Sequence, residues 1–158
     1  MNDTPSSANT VRVIVIGAGM AGILAGIRLQ QYGYSNYVIY EKSDRLGGTW
    51  RENTYPGIAC DVPAHLYTYS FEPNPDWSRT FAPGAEIQAY FERIAAKYHI
   101  VERVRFNEEI TRCEFSDGRW RVRTSLGRED EAHVIIAATG VLHHPHVAEL
   151  PGLARFGG

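Results

Sequence analysis

Residues Val11 to Gly22 read VRVIVIGAGMAG, a β-branched apolar run that passes straight into Gly17-x-Gly19-x-x-Gly22. No other segment restricts the fold as much. A bare GxGxxG is a weak signal, but here an apolar strand precedes it and helical periodicity follows over Met20 to Tyr32. Gly33 is a natural helix stop, and a second strand, Tyr37 to Tyr40, runs into Glu41, 19 residues after Gly22. That order is a βαβ unit with the spacing of a dinucleotide site. Gly17 permits the tight turn, Gly19 lets the backbone approach a pyrophosphate, and Gly22 lets the helix pack closely on the strand. Phosphates at such a helix N-terminus meet unpaired N–H groups and the positive end of the helix dipole. A carboxylate at position 41 accepts hydrogen bonds from a ribose diol and repels a 2′-phosphate, so FAD or NAD fits this unit and NADP does not.

With 158 residues, 44% of them hydrophobic, the chain is sized for one core. A formal net charge of −2 with scattered Lys and Arg gives no basic stripe for nucleic acid and no basic amphipathic helix for a membrane surface. The opening MNDTPSSANT reads as a disordered leader, residues 1–10, without the charged and apolar regions of a signal peptide. The longest apolar stretch is interrupted by glycines. Cys60 and Cys113 fit reduced thiols better than a disulfide framework. A cytoplasmic protein is the expectation.

Ser43 to Pro83 carries almost no helical periodicity, and so long a connection is usually functional. Gly84 to Tyr98 places Ile87, Phe91, Ile94, Ala95 and Tyr98 on one helical face, a stripe that packs on a core. Strands follow at Glu109 to Phe115, Trp120 to Thr124 and Glu131 to Ala137, with turn residues Asp117, Gly118 and Gly127 between them, predicting a β-meander. The last strand loses alternation, as in a sheet buried on both faces. The predicted class is α/β, a Rossmann-like three-layer fold of parallel sheet, helices and meander. Arg119, Arg121 and Arg123 alternate and share the exposed face of a strand. His143, His144 and His146, bent around Pro145, read as a solvated loop rather than a metal site.

From Leu46 the chain reads LGGTWRENTYPGIACDVPAHLYTYSF. Together with GAGMAG, Glu41 and the ATG of Ala138 to Gly140, the ordered set resembles the FAD-binding part of class B flavoprotein monooxygenases. It is most similar to Baeyer-Villiger monooxygenases of the aryl-ketone branch. The closing PGLARFGG, with Phe156 and Gly158, resembles the start of the family fingerprint FxGxxxHxxxW. On this resemblance residues 11–158 are the N-terminal portion of an FAD-binding domain, an incomplete fold. The family's NADPH-binding domain, the arginine that steadies its peroxyflavin and the returning C-terminal part of the FAD domain lie beyond it.

The resemblance implies that Gly17, Gly19 and Gly22 cradle the FAD pyrophosphate and that Glu41 holds the adenosine ribose, with Met20, Ala21 and Lys42 also among the cofactor-binding residues. Gly48, Thr49, Trp50 and Tyr67 would stand on the flavin side, and Ile110 would lay its backbone against adenine. Thr139 and Gly140 would close over the cofactor. Asp61 would sit beside the isoalloxazine, facing the family's arginine, as the one catalytic residue. The implied reaction is reduction of FAD by NADPH, addition of O₂ at flavin C4a, and attack of the peroxide on a ketone to give an ester or lactone. The cofactors would be FAD and NADPH, and the partners a small ketone and O₂, with self-association through open sheet edges. Three alternatives stay open at this point. They are an N-hydroxylating or sulfoxidising relative, an NAD-dependent dehydrogenase, and a non-catalytic flavin-binding remnant.

Overall fold

The computed structural model describes residues 10–146 and 148–157. The leader expected over residues 1–10, Thr10 apart, and the Gly158 of the fingerprint lie outside the described residues.

The first strand, β1 (Val13–Ile16), leads into helix α1 (Met20–Gln31) and then β2 (Tyr37–Tyr40). β1 and β2 pair in parallel, Val13 opposite Tyr37 and Ile16 opposite Tyr40. Both strands are apolar throughout because both faces are covered. Val13, Val15, Tyr37 and Ile39 face a helical layer, while Ile14, Val38 and Tyr40 face the opposite side. This period-2 division creates two cores from one sheet. Each fully buried isoleucine in them contributes roughly 1.5–3 kcal/mol relative to its exposed state.

The segment Ser43 to Pro83 is not devoid of regular structure. It contains a one-turn helix α2 (Thr49–Glu52) and a 3₁₀ turn (Ala64–Leu66). Its order comes from aromatic packing. Tyr67, Tyr69 and Trp77 lie against Tyr90 and Phe91 of the next helix, α3 (Gly84–Lys97), with ring centroids 5.6–6.5 Å apart. Isolated backbone pairs, such as Cys60 N–H to the Ala82 carbonyl at 3.1 Å, tie its ends together. The α3 stripe Ile87, Phe91, Ile94 and Ala95 is buried as its periodicity implies, with Gln88 buried beside it.

A two-residue strand, β3 (Val104–Arg105), extends the parallel sheet beyond β2. Strands β4 (Ile110–Ser116), β5 (Arg119–Thr124) and β6 (Glu129–Ala132) then form the antiparallel meander. The β4–β5 turn places both Asp117 and Gly118 at positive φ, 53° and 76°, as a two-residue hairpin with right-handed strand twist requires. The predicted third strand over Glu131 to Ala137 is corrected. The chain breaks at His133, so that β6 closes the meander and β7 (Val134–Ala137) leaves it to pair in parallel with β1. The parallel sheet therefore runs β3-β2-β1-β7, with helices on one face and the meander on the other. No described helix is long and apolar enough to cross a membrane. Both cysteines are free.

The break at His133 is held by Arg12. Its backbone N–H donates to His133 Nδ1 at 2.9 Å, and its carbonyl accepts from His133 N–H at 2.9 Å. The Arg12 guanidinium grips both carboxylate oxygens of Asp130 and reaches Asn36, and the Tyr40 hydroxyl donates to Asp130 at 2.8 Å. Burial works to raise the Asp130 carboxyl but is outweighed by the hydrogen bonds from Arg12 and Tyr40 and by the Arg12 charge, so its pKa lies below the usual value. The stability it adds is full above the ordinary Asp range near 3.9 and disappears as pH falls through the depressed folded value. Asp130→Asn is accordingly expected to lower stability at pH 7 by roughly 1–3 kcal/mol. The gap to the parent should close on acidification below about pH 4, as thermal melts across that range will show.

Candidate functional site

The C-terminal ends of β1, β2 and β7 open onto a cleft of about 320 Å³ between the β1–α1 turn, the Gly47–Trp50 loop and the segment after β7. A crevice at the carboxyl edge of a parallel sheet is where such folds bind ligands. At its centre is the turn Gly17–Gly19. Gly17 has φ +99°, and a Cβ there would stand 2.5 Å from the Ala138 carbonyl oxygen. A Cβ on Gly22 would stand 1.9 Å from the Gly17 carbonyl oxygen, so this glycine is what lets α1 start so close to the turn. Gly19 is different. Its φ of −76° suits any residue, and a Cβ would meet nothing nearer than Gly48 Cα at 3.5 Å, ordinary contact. The chain itself does not require glycine at position 19, whereas a pyrophosphate lying on the turn does. Among the described residues no side chain caps the N-terminus of α1, which leaves its first turn available to an anion.

Glu41, only 6% exposed, closes the adjoining end of the cleft. Its Oε2 accepts the Ala18 N–H at 2.7 Å and its Oε1 the Ser43 N–H at 2.9 Å. Those bonds fix the carboxylate while leaving one lone pair on each oxygen, the acceptor set a ribose diol needs. Ala18 also works in the other direction, its carbonyl accepting the Gly47 N–H at 3.0 Å. The GAGMAG turn, the acid and the Gly-Gly loop are thereby joined through one residue.

The Gly48, Thr49 and Trp50 side of the cleft is stiffened by Tyr67. The Trp50 indole N–H donates to the Tyr67 hydroxyl at 3.0 Å, and the rings meet edge to face at 5.3 Å. Tyr69, below them, donates its hydroxyl to the Met20 carbonyl at 2.6 Å and so ties the same layer to the start of α1. Ile110 of β4 and the exposed Thr139 and Gly140 complete the walls. Of the residues predicted from sequence, Gly17, Gly19, Met20, Ala21, Glu41, Lys42, Gly48, Thr49, Trp50, Tyr67, Ile110, Thr139 and Gly140 all line this one cleft. Gly22 lies behind it, buried in α1. Asp61 is exposed in the loop after Cys60 and is not among the lining residues.

The cleft also holds residues that sequence reasoning missed. Lys42 Nζ stands 3.6 Å from Glu52 and 2.8 Å from His143 Nδ1, bridging the mouth from the end of β2 to the segment after β7. His143 therefore belongs to the cleft wall, while His144 and His146 remain exposed. No group of His, Cys, Asp and Glu among the described residues could hold a metal ion. Tyr40, at the foot of the cleft, links it to the Arg12–Asp130 clamp. Burial, then the hydrogen bond to Asp130 and that carboxylate's charge, push its hydroxyl up to about 12, so it stays a protonated donor. Adjacency to Glu41 was the available signal for Tyr40. Nothing local pointed to Glu52 or His143, which depend on where Lys42 reaches.

Comparison with known proteins agrees with this geometry. Residues 15–83 match the NAD(P)-binding Rossmann-like domain family. An uncharacterized monooxygenase of Mycobacterium tuberculosis is 49% identical over 146 residues, covering 92% of this chain and 30% of that protein. A Baeyer-Villiger monooxygenase of Streptomyces coelicolor is 44% identical over 150 residues, covering 94% and 29%. Among solved structures, an oxidized steroid monooxygenase bound to NADP superposes with a TM-score of 0.83 at 36% identity, over 94% of this chain and 29% of that one. The chain is thus homologous over nearly its whole length to monooxygenases, Baeyer-Villiger monooxygenases among them, and spans about 30% of their length.

The contrast between glycines gives a test. Gly22→Ala should destabilise the chain by roughly 1–3 kcal/mol or more, as overpacking against backbone does. Gly19→Ala should cost less than about 1 kcal/mol in stability yet weaken flavin-nucleotide binding about tenfold or more. Thermal melts paired with nucleotide titrations separate the two effects.

Proposed function

We propose that this chain is the FAD-binding segment of an NADPH- and O₂-dependent flavin monooxygenase that oxygenates ketones to esters or lactones. The observation that carries this reading is the convergence of Gly19, Glu41, Gly48–Trp50 and Tyr67 on one cleft, in a chain 44% identical to a Baeyer-Villiger monooxygenase. The α1 N-terminus and the bare Gly19 take the pyrophosphate, and the spare lone pairs of Glu41 take the adenosine ribose. Thr49, Trp50 and Tyr67 hold the flavin end in place, and Trp50 and Tyr67 brace each other there. Bound FAD, reduced by NADPH, supplies the activation of O₂ for insertion beside a carbonyl, while the protein contributes position and electrostatics. Asp61, exposed outside the cleft wall, is free to pair with a cation from the remaining length that the relatives possess, and so to orient the nicotinamide and flavin side. A ketone and O₂ are the reactants and the cytoplasm is the compartment.

The reading is tested by the absorbance of the purified chain with and without added FAD. Retained oxidised-flavin bands, without NADPH oxidation by the chain alone, are expected of a segment spanning about 30% of its relatives. Absence of flavin at excess FAD overturns the reading, and binding of NAD with no flavin bands would favour a dehydrogenase. The free edge of β7, whose Val134 is 43% exposed, also predicts self-association of the chain through strand pairing. A monodisperse monomer in light scattering would contradict it.

A further inference from the structure

Gln88 stands on the buried face of α3 beside Ile87 and Phe91, 9% exposed, where a carboxamide costs free energy unless it is bonded. Its Nε2 donates to the Leu46 carbonyl and to Glu92 Oε1, both at 2.8 Å. Both partners are acceptors, so only the NH₂ end of the amide can face them. Its Oε1 finds no donor among the described residues. The amide occupies the space beside Gly47, which has φ +124°. A Cβ on Gly47 would come 1.9 Å from Gln88 Oε1 and 2.6 Å from both Cδ and Nε2. Glycine 47 leaves out a side chain, and the Gln88 amide fills that space.

We propose that Gln88 is a positioning residue for the nucleotide. Through the Leu46 carbonyl and Gly47 it fixes where Gly48, Thr49 and Trp50 stand in the cleft, although it does not line the cleft itself. From the other side the Gly47 N–H is held by the Ala18 carbonyl at 3.0 Å, so the loop is pinned between α3 and the phosphate turn. A Cβ on Gly48 would meet Gly19 Cα at 3.1 Å, which shows how little play there is between the two glycine motifs. An apolar residue of similar length would fill the same volume and remove the orphaned Oε1. The amide therefore serves the loop rather than the core.

The test is Gln88→Met, nearly equal in volume and without donor or acceptor. Amide hydrogen exchange of the FAD-free chain is the first readout. About tenfold faster exchange over residues 46–50, with α3 as protected as in the parent, is expected for one lost hydrogen bond. Unchanged exchange there, or an equal rise across the whole chain, overturns the assignment. FAD titration is the second readout and rests on the proposed cofactor. About tenfold weaker binding at unchanged melting temperature supports positioning, and parental affinity overturns it. Should the parent itself bind no FAD, the cofactor reading fails and the exchange data alone decide for or against Gln88. If Gln88→Met does not fold, Gln88→Glu keeps the shape but turns an acceptor toward two acceptors. It should loosen residues 46–50 in the same way, and parental exchange in that variant refutes the role.

Discussion

The site depends on the two hydrogen bonds of Ala18. Its N–H goes to the Glu41 carboxylate and its carbonyl takes the Gly47 N–H. Ala18 is fully buried, so neither group has water to fall back on, and leaving either unmet would cost about 1–3 kcal/mol. The consequence is geometric. Three stretches, the glycine turn, the end of β2 23 residues further on and the Gly-Gly loop that follows it, are held in fixed relation by one peptide unit on each side of Ala18. Glu41 must therefore be present for the chain's own sake, and the same anchoring orients its remaining lone pairs into the cleft.

A second junction sets the far wall. The Arg12–Asp130 pair joins the first residues of the βαβ unit to the meander, and Tyr40 adds its hydroxyl to the same carboxylate. Side-chain exposures of 31% and 17% put the pair between surface and core. There the two-oxygen grip of an arginine fork is worth more than an isolated surface ion pair. Because Tyr40 sits both at this junction and at the foot of the cleft, the meander's seating is transmitted to the place where β2 presents Glu41. By contrast, the pairs along the outer meander face, Arg121 with Glu131 and Arg123 with Glu129, are more than half exposed and add little.

What the sequence disclosed follows a physical division. Period-2 apolar runs, the glycine turn, the Asp117–Gly118 hairpin and the α3 stripe are local signals, and they appear in the fold where their patterns place them. The break at His133 was illegible because its partner is Arg12, 121 residues away, whereas the lost alternation of the last strand did point to the parallel sheet that β7 enters. The order of Ser43 to Pro83 was hidden for a related reason. Tyr67, Tyr69 and Trp77 have no periodicity, and they acquire structure only by packing on Tyr90 and Phe91. In the cleft, Gly17 and Gly22 were readable because backbone geometry demands glycine there and Glu41 through its spacing, whereas Gly48 to Trp50, Tyr67, Ile110, Thr139 and Gly140 were readable only through the family resemblance. His143 and Glu52 enter through the reach of one lysine side chain, which no spacing rule encodes.

These observations separate the cleft residues into two kinds. Gly17, Gly22 and the Glu41 carboxylate are explained by contacts inside the chain: a carbonyl where a Cβ would be, and N–H groups that would otherwise be orphaned. Gly19 and the uncapped start of α1 are not explained that way, since a Cβ at 19 would meet only ordinary contact and no described side chain bonds the first turn of the helix. Features that the fold tolerates but does not require, adjacent to features that it does require, are what a groove for an anionic ligand leaves behind. Because the loop and the acid are already fixed by bonds of the chain to itself, a nucleotide entering there would meet donors and acceptors set in place during folding. Little ordering of the protein would then be left to offset its affinity.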